Sequence, residues 1–168
     1  MAANLRILGV DPGSRMTGVG IIEVDGDRVK PVYFDAINAG KGEFTERLGI
    51  IFSGLQQLIR EYHPDRAAIE TVFVAHNAAS AIKLGQARGA AVCAAISCDV
   101  PVSEYSPRSV KQAIVGTGRA DKTQVQHMVG LLLGIKGPIQ NDAADALAVA
   151  LCHQHTSHTL SRMAMMQG

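Results

Sequence analysis

Four acidic residues stand where carboxylates are costly. Asp11 follows an apolar run (residues 5–10, Leu-Arg-Ile-Leu-Gly-Val) and Glu70 ends another (66–70, Arg-Ala-Ala-Ile-Glu). Asp142 and Asp145 lie in an alanine-rich stretch near the C-terminus. A lone carboxylate beside apolar surroundings loses solvation, and several brought together repel one another unless a cation joins them. A site made only of carboxylates suits hard, oxygen-seeking ions such as magnesium. That combination points to phosphoryl chemistry.

Each acid alone has an ordinary explanation. Asp11 precedes Pro12-Gly13 and could simply be a turn residue. Glu70 could cap a strand end in water. Asp142, in the first turn of a helix, favours the helix dipole. Asp145 is harder to dismiss, because Ala-Ala-Asp-Ala-Leu-Ala-Val-Ala is not a solvated helix face. At a spacing of i and i+3, Asp142 and Asp145 share one side of a helix, and the alanines beside them allow close packing on a sheet.

The elements that must position these acids can be read in order. Residues 5–10, 17–24 and 29–39 read as strands, separated by the turn signals Asp11-Pro12-Gly13-Ser14 and Asp25-Gly26-Asp27. Phe44, Leu48, Ile51, Leu55, Leu58 and Ile59 recur at helical spacing, so 43–62 is an amphipathic helix stopped by His63-Pro64-Asp65. Residues 66–70 form a short buried strand, 77–97 an Ala-rich helix capped by Asn77, and 101–105 a fifth strand. Ser106-Pro107 opens a further helix that Gly116-Thr117-Gly118 breaks. Residues 121–133 are helical, and a last helix capped by Asn141 runs to about Cys152. A helix crosses between the first and fourth strands, which makes them parallel neighbours. Asp11 and Glu70 then share the carboxyl edge of the sheet, where open α/β sheets place their sites. The expected architecture is α/β, a five-stranded mixed sheet (three antiparallel strands plus two parallel) flanked by helices.

Composition bounds the rest. The 168 residues suit one domain, read as 1–158, with 159–168 a short flexible tail. The net charge of +1 does not announce a nucleic-acid binder, but residues 105–136 carry five cations (Arg108, Lys111, Arg119, Lys122, Lys136) against the single acid Asp121. A basic region beside a separate acidic cluster suits a polyanion handled through metal ions. Cys93, Cys98 and Cys152 form no Cys-x-x-Cys pair, and no signal peptide is evident, so the expectation is free thiols in the cytoplasm. No apolar run approaches the roughly 18 residues of a membrane span.

Two strand-end carboxylates on neighbouring strands, meeting two on a helix, resemble the nucleases of the ribonuclease H-like fold. The segments 9–15 (Gly-Val-Asp-Pro-Gly-Ser-Arg), 68–73 (Ala-Ile-Glu-Thr-Val-Phe), 83–89 (Lys-Leu-Gly-Gln-Ala-Arg-Gly), 110–112 (Val-Lys-Gln), 122–128 (Lys-Thr-Gln-Val-Gln-His-Met) and 142–148 (Asp-Ala-Ala-Asp-Ala-Leu-Ala) narrow the likeness. Together, and in order over about residues 5–155, they resemble the RuvC family of crossover junction endodeoxyribonucleases. The resemblance implies a homodimeric resolvase of four-way (Holliday) DNA junctions in recombination and repair. It implies symmetric cleavage of two strands of like polarity, leaving 5′-phosphate and 3′-hydroxyl ends. The RuvA–RuvB branch-migration complex is the implied partner.

The resemblance makes Asp11, Glu70, Asp142 and Asp145 the catalytic and metal-binding residues, holding two Mg2+ ions for which Mn2+ can substitute. Lys111 and Lys122 match lysines needed for activity, and Arg108 and Arg119 beside them are read as further phosphate contacts. Phe73 matches an aromatic close to the junction; it either packs in the core or stacks on unpaired bases. The helix 77–97 matches an element of the dimer interface, although simple packing on the sheet would need the same small residues. Thr71 replaces a familiar Gln, Arg119-Ala120-Asp121 replaces Ser-Ala-Glu, and the tail is less basic than in familiar members.

Three other readings compete. Cys152-His153-Gln154-His155-Thr156-Ser157-His158 could suggest zinc but lacks a recognisable ligand frame. Asp11-Pro12-Gly13-Ser14 also resembles the phosphate loop of actin-like nucleotide-binding proteins, which need two domains. A non-catalytic junction-binding protein would have no reason to gather four acids against a polyanion.

Overall fold

The computed structural model of the chain describes residues 4–71 and 77–166. Its strands are β1 (Leu5–Asp11), β2 (Met16–Asp25), β3 (Arg28–Asn38), β4 (Arg66–Glu70) and β5 (Val102–Tyr105). Its helices are α1 (Phe44–Tyr62), α2 (Ala78–Ser97), α3 (Pro107–Val115), α4 (Lys122–Leu133) and α5 (Asn141–Met166). The sheet order is β3-β2-β1-β4-β5. β1, β2 and β3 pair antiparallel, while β4 runs parallel to both β1 and β5. This is the mixed sheet expected from the crossover argument.

The strand period of two sorts side chains between the faces. Leu8, Val10, Val19, Ile21, Ala67 and Ile69 pack against α1 and α2. Ile7, Ile22 and Ala68 face the other way, into a core with α3, α4 and α5. By the same alternation Gly9 and Asp11 on β1, Gly18 and Gly20 on β2, and Glu70 on β4 belong to the α5 face. Gly9 pairs with Gly20, and Asp11 pairs with Gly18. The Gly9–Gly20 rung beneath the acids therefore carries no side chains, and Gly18 adds none opposite Asp11.

α5 lies in that bare strip. A Cβ on Gly18 would overlap the Asp142 carbonyl oxygen, and one on Gly9 would overlap the Ala146 carbonyl oxygen. A Cβ on Gly20 would collide with Leu147. Glycine inside a strand commonly marks such an approach of another backbone. From Ala146 to Cys152 the helix is buried without interruption.

Local capping follows the sequence at most helix starts. Asn77 accepts from the Ser80 amide, Ser106 accepts from the Ser109 amide ahead of Pro107, and Asp121 with Gln124 forms a capping box. α5 departs from expectation at both ends. Its first turn is capped by Gln140, whose Oε1 accepts from the Ala143 amide at 2.8 Å, and not by Asn141. The helix also continues past Cys152, and past residue 158, to Met166. The polar stretch is compatible with this because Thr156 and Thr159 turn their hydroxyls back onto the carbonyls of Cys152 and His155.

The glycine strip yields a direct test. Gly18→Ala should cost about 1–3 kcal/mol of unfolding free energy, since a methyl group there meets backbone that cannot rotate away. Gly49→Ala, exposed on α1 with nothing within 4 Å, should instead gain about 0.5–1 kcal/mol. Urea denaturation of the two variants would show opposite shifts; equal shifts would remove the close-approach argument.

Candidate active site

β1 and β4 run in register from Ile7 beside Arg66 to Val10 beside Ile69, which places the next residues, Asp11 and Glu70, side by side. β5 extends the edge, with Tyr105 opposite Glu70. The turn after Asp11 is fixed from within. Buried Thr17 donates its hydroxyl to the Gly13 carbonyl at 2.9 Å, and Arg47 holds the Ser14 carbonyl at 2.9 Å. α5 brings Asp142 and Asp145 down onto this edge. All four acids are half-buried.

Their electrostatics follow from this placement. Burial pushes the Asp11 carboxyl up to about 6, a hydrogen bond with Glu70 opposes this, and the charges of Asp145 and Asp142 add to it. Burial also pushes Glu70 up, to about 8, assisted by the charge of Asp11, its hydrogen bond with Asp11, and Asp145. Asp145 thus acts on both strand acids, whereas Asp142 acts on Asp11. Four carboxylates at one edge hold at least one proton near neutrality when no cation is bound.

Each acid has a partner. Asp11 and Glu70 lie side by side at the ends of β1 and β4. Gln140 donates its Nε2 to Asp142 Oδ2 at 2.6 Å, and Lys122 Nζ lies 2.8 Å from Asp145 Oδ2. Among the described residues no three acid, His or Cys donors already surround a common point as metal ligands. The donor set nevertheless fits a hard divalent cation. It is all oxygen, its acids sit together at one edge, and the burial and like charges that raise Asp11 and Glu70 are what a bound cation offsets.

The cations stand alongside. Lys111 and Lys122 line a cavity of about 170 Å³ together with Glu70, Asp145, Pro107, Val110, Val125 and Ala148. Lys111 also faces a second cleft, shared with Arg108 and Arg119. The structure therefore groups the acids with both lysines and carries the two arginines beside them. Phe73 lies outside the described residues.

Sequence reasoning missed Thr17, Gln140 and the roles of Gly9, Gly18 and Gly20. Glycines at alternate positions of a Val- and Ile-rich strand were the available signal for the strip. Gln140, two residues from Asp142, had none. The Cys-His cluster at the end of α5 serves packing. His153 is buried and accepts or donates one hydrogen bond with Tyr105 Oη at 2.8 Å, His155 meets the Ala113 carbonyl at 3.0 Å, and Cys152 is buried. No helix of the described residues is long and apolar enough to cross a membrane.

A mixed sheet of this order, with acids at the ends of β1 and β4 and on the last helix, defines a nuclease of the ribonuclease H-like class. The family model described as crossover junction endodeoxyribonuclease RuvC matches residues 7–153. The chain belongs to the RuvC family of crossover junction endodeoxyribonucleases. It is 56% identical over 156 residues to the family member of Xanthomonas oryzae pv. oryzae (strain MAFF 311018), covering 92% of this chain and 90% of the relative. The Methylococcus capsulatus member is 53% identical over 163 residues, covering 96% and 97%. Thermus thermophilus RuvC in complex with a Holliday junction substrate superposes with a TM-score of 0.86 at 32% identity, over 92% of this chain and 96% of that one. A yeast mitochondrial Holliday junction resolvase shares the fold, with a TM-score of 0.68 at 11% identity over 94% and 82%.

The raised carboxyls predict a pH dependence of stability. Asp11 and Glu70 titrate from ordinary values of 3.8 and 4.5 to about 6 and about 8 in the folded chain. The folded state therefore binds more protons than the unfolded state across this window, and stability falls as pH rises through it. In a chelator, Tm of the wild type relative to Asp11→Asn should drop between about pH 4 and pH 8. The comparison cancels His153, whose burial lowers its pKa and which works in the opposite direction. A constant difference across the window would mean that the two acids are not crowded.

Proposed function

We propose that this chain is a metal-dependent resolvase of four-way DNA junctions, with Asp11, Glu70, Asp142 and Asp145 as the residues that hold the metal. The observation that carries this reading is the shared cavity: Glu70 and Asp145 face Lys111 and Lys122 across about 170 Å³. Acids alone would repel a phosphate backbone, and lysines alone would only bind it. Side by side, they give a place for a cation and a place for the phosphate it acts on.

Bound there, magnesium (or manganese in its place), at two ions per site, would supply Lewis acidity at the scissile phosphate and a water of lowered pKa. The chain's own residues do the rest. Gln140 fixes the orientation of the Asp142 carboxylate through its amide. Thr17 and Arg47 hold the turn that follows Asp11. Lys111 and Lys122 place positive charge where the strand passes, and Arg108 and Arg119 extend it along the neighbouring cleft. Hydrolysis would leave a 5′-phosphate and a 3′-hydroxyl.

The substrate assignment follows the family and the Thermus thermophilus relative, whose structure holds a Holliday junction. Symmetric cutting of two strands needs two sites related by a two-fold axis, and we assign the dimer contact to α2. That helix exposes Ile82 and Ile96, and a Cβ on Gly85 or Gly89 would meet nothing, so its outer face is apolar and low enough for a second helix. The same reading makes the RuvA–RuvB complex the machinery it works beside.

Cleavage of matched four-way and linear DNA, in magnesium or chelator, tests the proposal. The wild type should cut the four-way junction in magnesium alone. Asp11→Asn should bind the junction with comparable affinity but cut it at least about 100-fold more slowly, since it removes a metal ligand. Equal cutting of linear duplex would reduce the reading to a general nuclease, and normal cleavage by Asp11→Asn would dissolve the metal-site assignment.

A further inference from the structure

Lys122 occupies an unusual place for a DNA-binding lysine. It is the first residue of α4, and the Asp121–Gln124 capping box fixes the backbone there. It does not line the basic cleft of Arg108 and Arg119. Its ammonium sits 2.8 Å from Asp145 Oδ2. Among the described residues it is the cation in direct contact with one of the four acids; Lys111, in the same cavity, forms no such ion pair.

The acid it touches is central to the cluster. The charge of Asp145 is felt by both Asp11 and Glu70, and the charge of Lys122 reaches Asp11 in turn. The other acids have no cation in direct contact: Asp142 is held by the Gln140 amide, Asp11 and Glu70 lie side by side, and Lys111 acts on Glu70 only through space. Lys122 is thus the positive charge in contact with the cluster.

The contact is also easily exchanged. The Lys122 side chain is 60% exposed while that of Asp145 is 21% exposed, so the lysine reaches in from solvent. Ion pairs with so exposed a partner are weak and salt-sensitive. A divalent ion approaching Asp145 meets an oxygen already engaged and an ammonium of like sign beside it. The two cations cannot both hold Asp145 Oδ2 at close range without repulsion.

We propose that Lys122 is a built-in counter-cation that competes with the divalent ion for Asp145, so that metal loading releases the lysine toward the phosphate backbone. This rests on the metal-site reading above. The fixed backbone at Lys122 confines the exchange to side-chain rotation. Because the lysine and Glu70 line the same cavity, the released ammonium remains beside the strand it would hold. The charge that stabilises the cluster before loading becomes the charge that grips the DNA afterwards.

The test is Mn2+ binding to the full-length protein without DNA, by titration calorimetry, for wild type, Lys122→Ala, Lys122→Gln and Lys122→Arg. Removing the lysine charge should tighten Mn2+ binding by roughly two- to tenfold, the range expected for losing an exposed ion pair and a nearby like charge. Lys122→Arg should stay near the wild type. In an Asp145→Asn background, Lys122→Ala should give a clearly smaller gain, because only the like-charge repulsion is left to remove. Unchanged or weaker Mn2+ binding by folded Lys122→Ala and Lys122→Gln overturns the competition, as does a gain of undiminished size without the Asp145 carboxylate. Absence of Mn2+ binding in every variant would overturn the metal-site reading itself, and the proposal with it.

Discussion

The structure depends on one close approach: the backbone of α5 against a strip of the sheet that has no side chains. Gly9, Gly18 and Gly20 face the helix, and ordinary Cβ atoms at these positions would overlap Asp142, Ala146 or Leu147. Gly18 pairs with Asp11 across β1 and β2, so the bare strip runs directly into the acidic rung. The alanines of α5 answer the glycines from the other side. Aliphatic burial on both faces of the sheet holds this contact closed. With larger residues in the strip, the helix would stand off and its acids would no longer reach the strand acids.

That approach creates an electrostatic problem. Two strand-end carboxylates, adjacent because β1 and β4 are parallel, meet two more from a helix over 70 residues away in the chain. Burial and like charge raise the Asp11 and Glu70 carboxyls, and Lys122 and Gln140 occupy the helix acids. Stability is sacrificed at this edge, as the proposed cation site requires. The pattern accords with a general expectation that groups with strongly displaced pKa values gather at functional sites.

Much of this could be read from the sequence. Apolar runs between Asp-Pro-Gly and Asp-Gly-Asp turns gave the meander, and the crossover rule made β1 and β4 parallel, which joined Asp11 to Glu70. Three- and four-residue spacing gave α1, and Asn77 and Ser106 marked helix starts because caps are local chemistry. What stayed hidden depends on contacts distant in the chain or on side-chain direction. Lys122 and Asp145 lie on different helices, so no local spacing pairs them. Gln140 looks like any loop residue until its amide is seen on Asp142. The glycines of β2 were visible, but the face they serve is decided by the sheet register. The polar run after Cys152 looked like a helix end, yet its threonines satisfy themselves within a helix that reaches Met166.

In the proposed site, α5, seated on the glycine strip, completes a single metal centre with the ends of β1 and β4. Anomalous diffraction from crystals soaked in manganese examines this most directly. The account predicts anomalous peaks at the β1–β4 edge, bounded by carboxylate oxygens of Asp11, Glu70 and the Asp142–Asp145 pair. Manganese found elsewhere on the chain, or held by the strand acids with both α5 aspartates turned away, would contradict it.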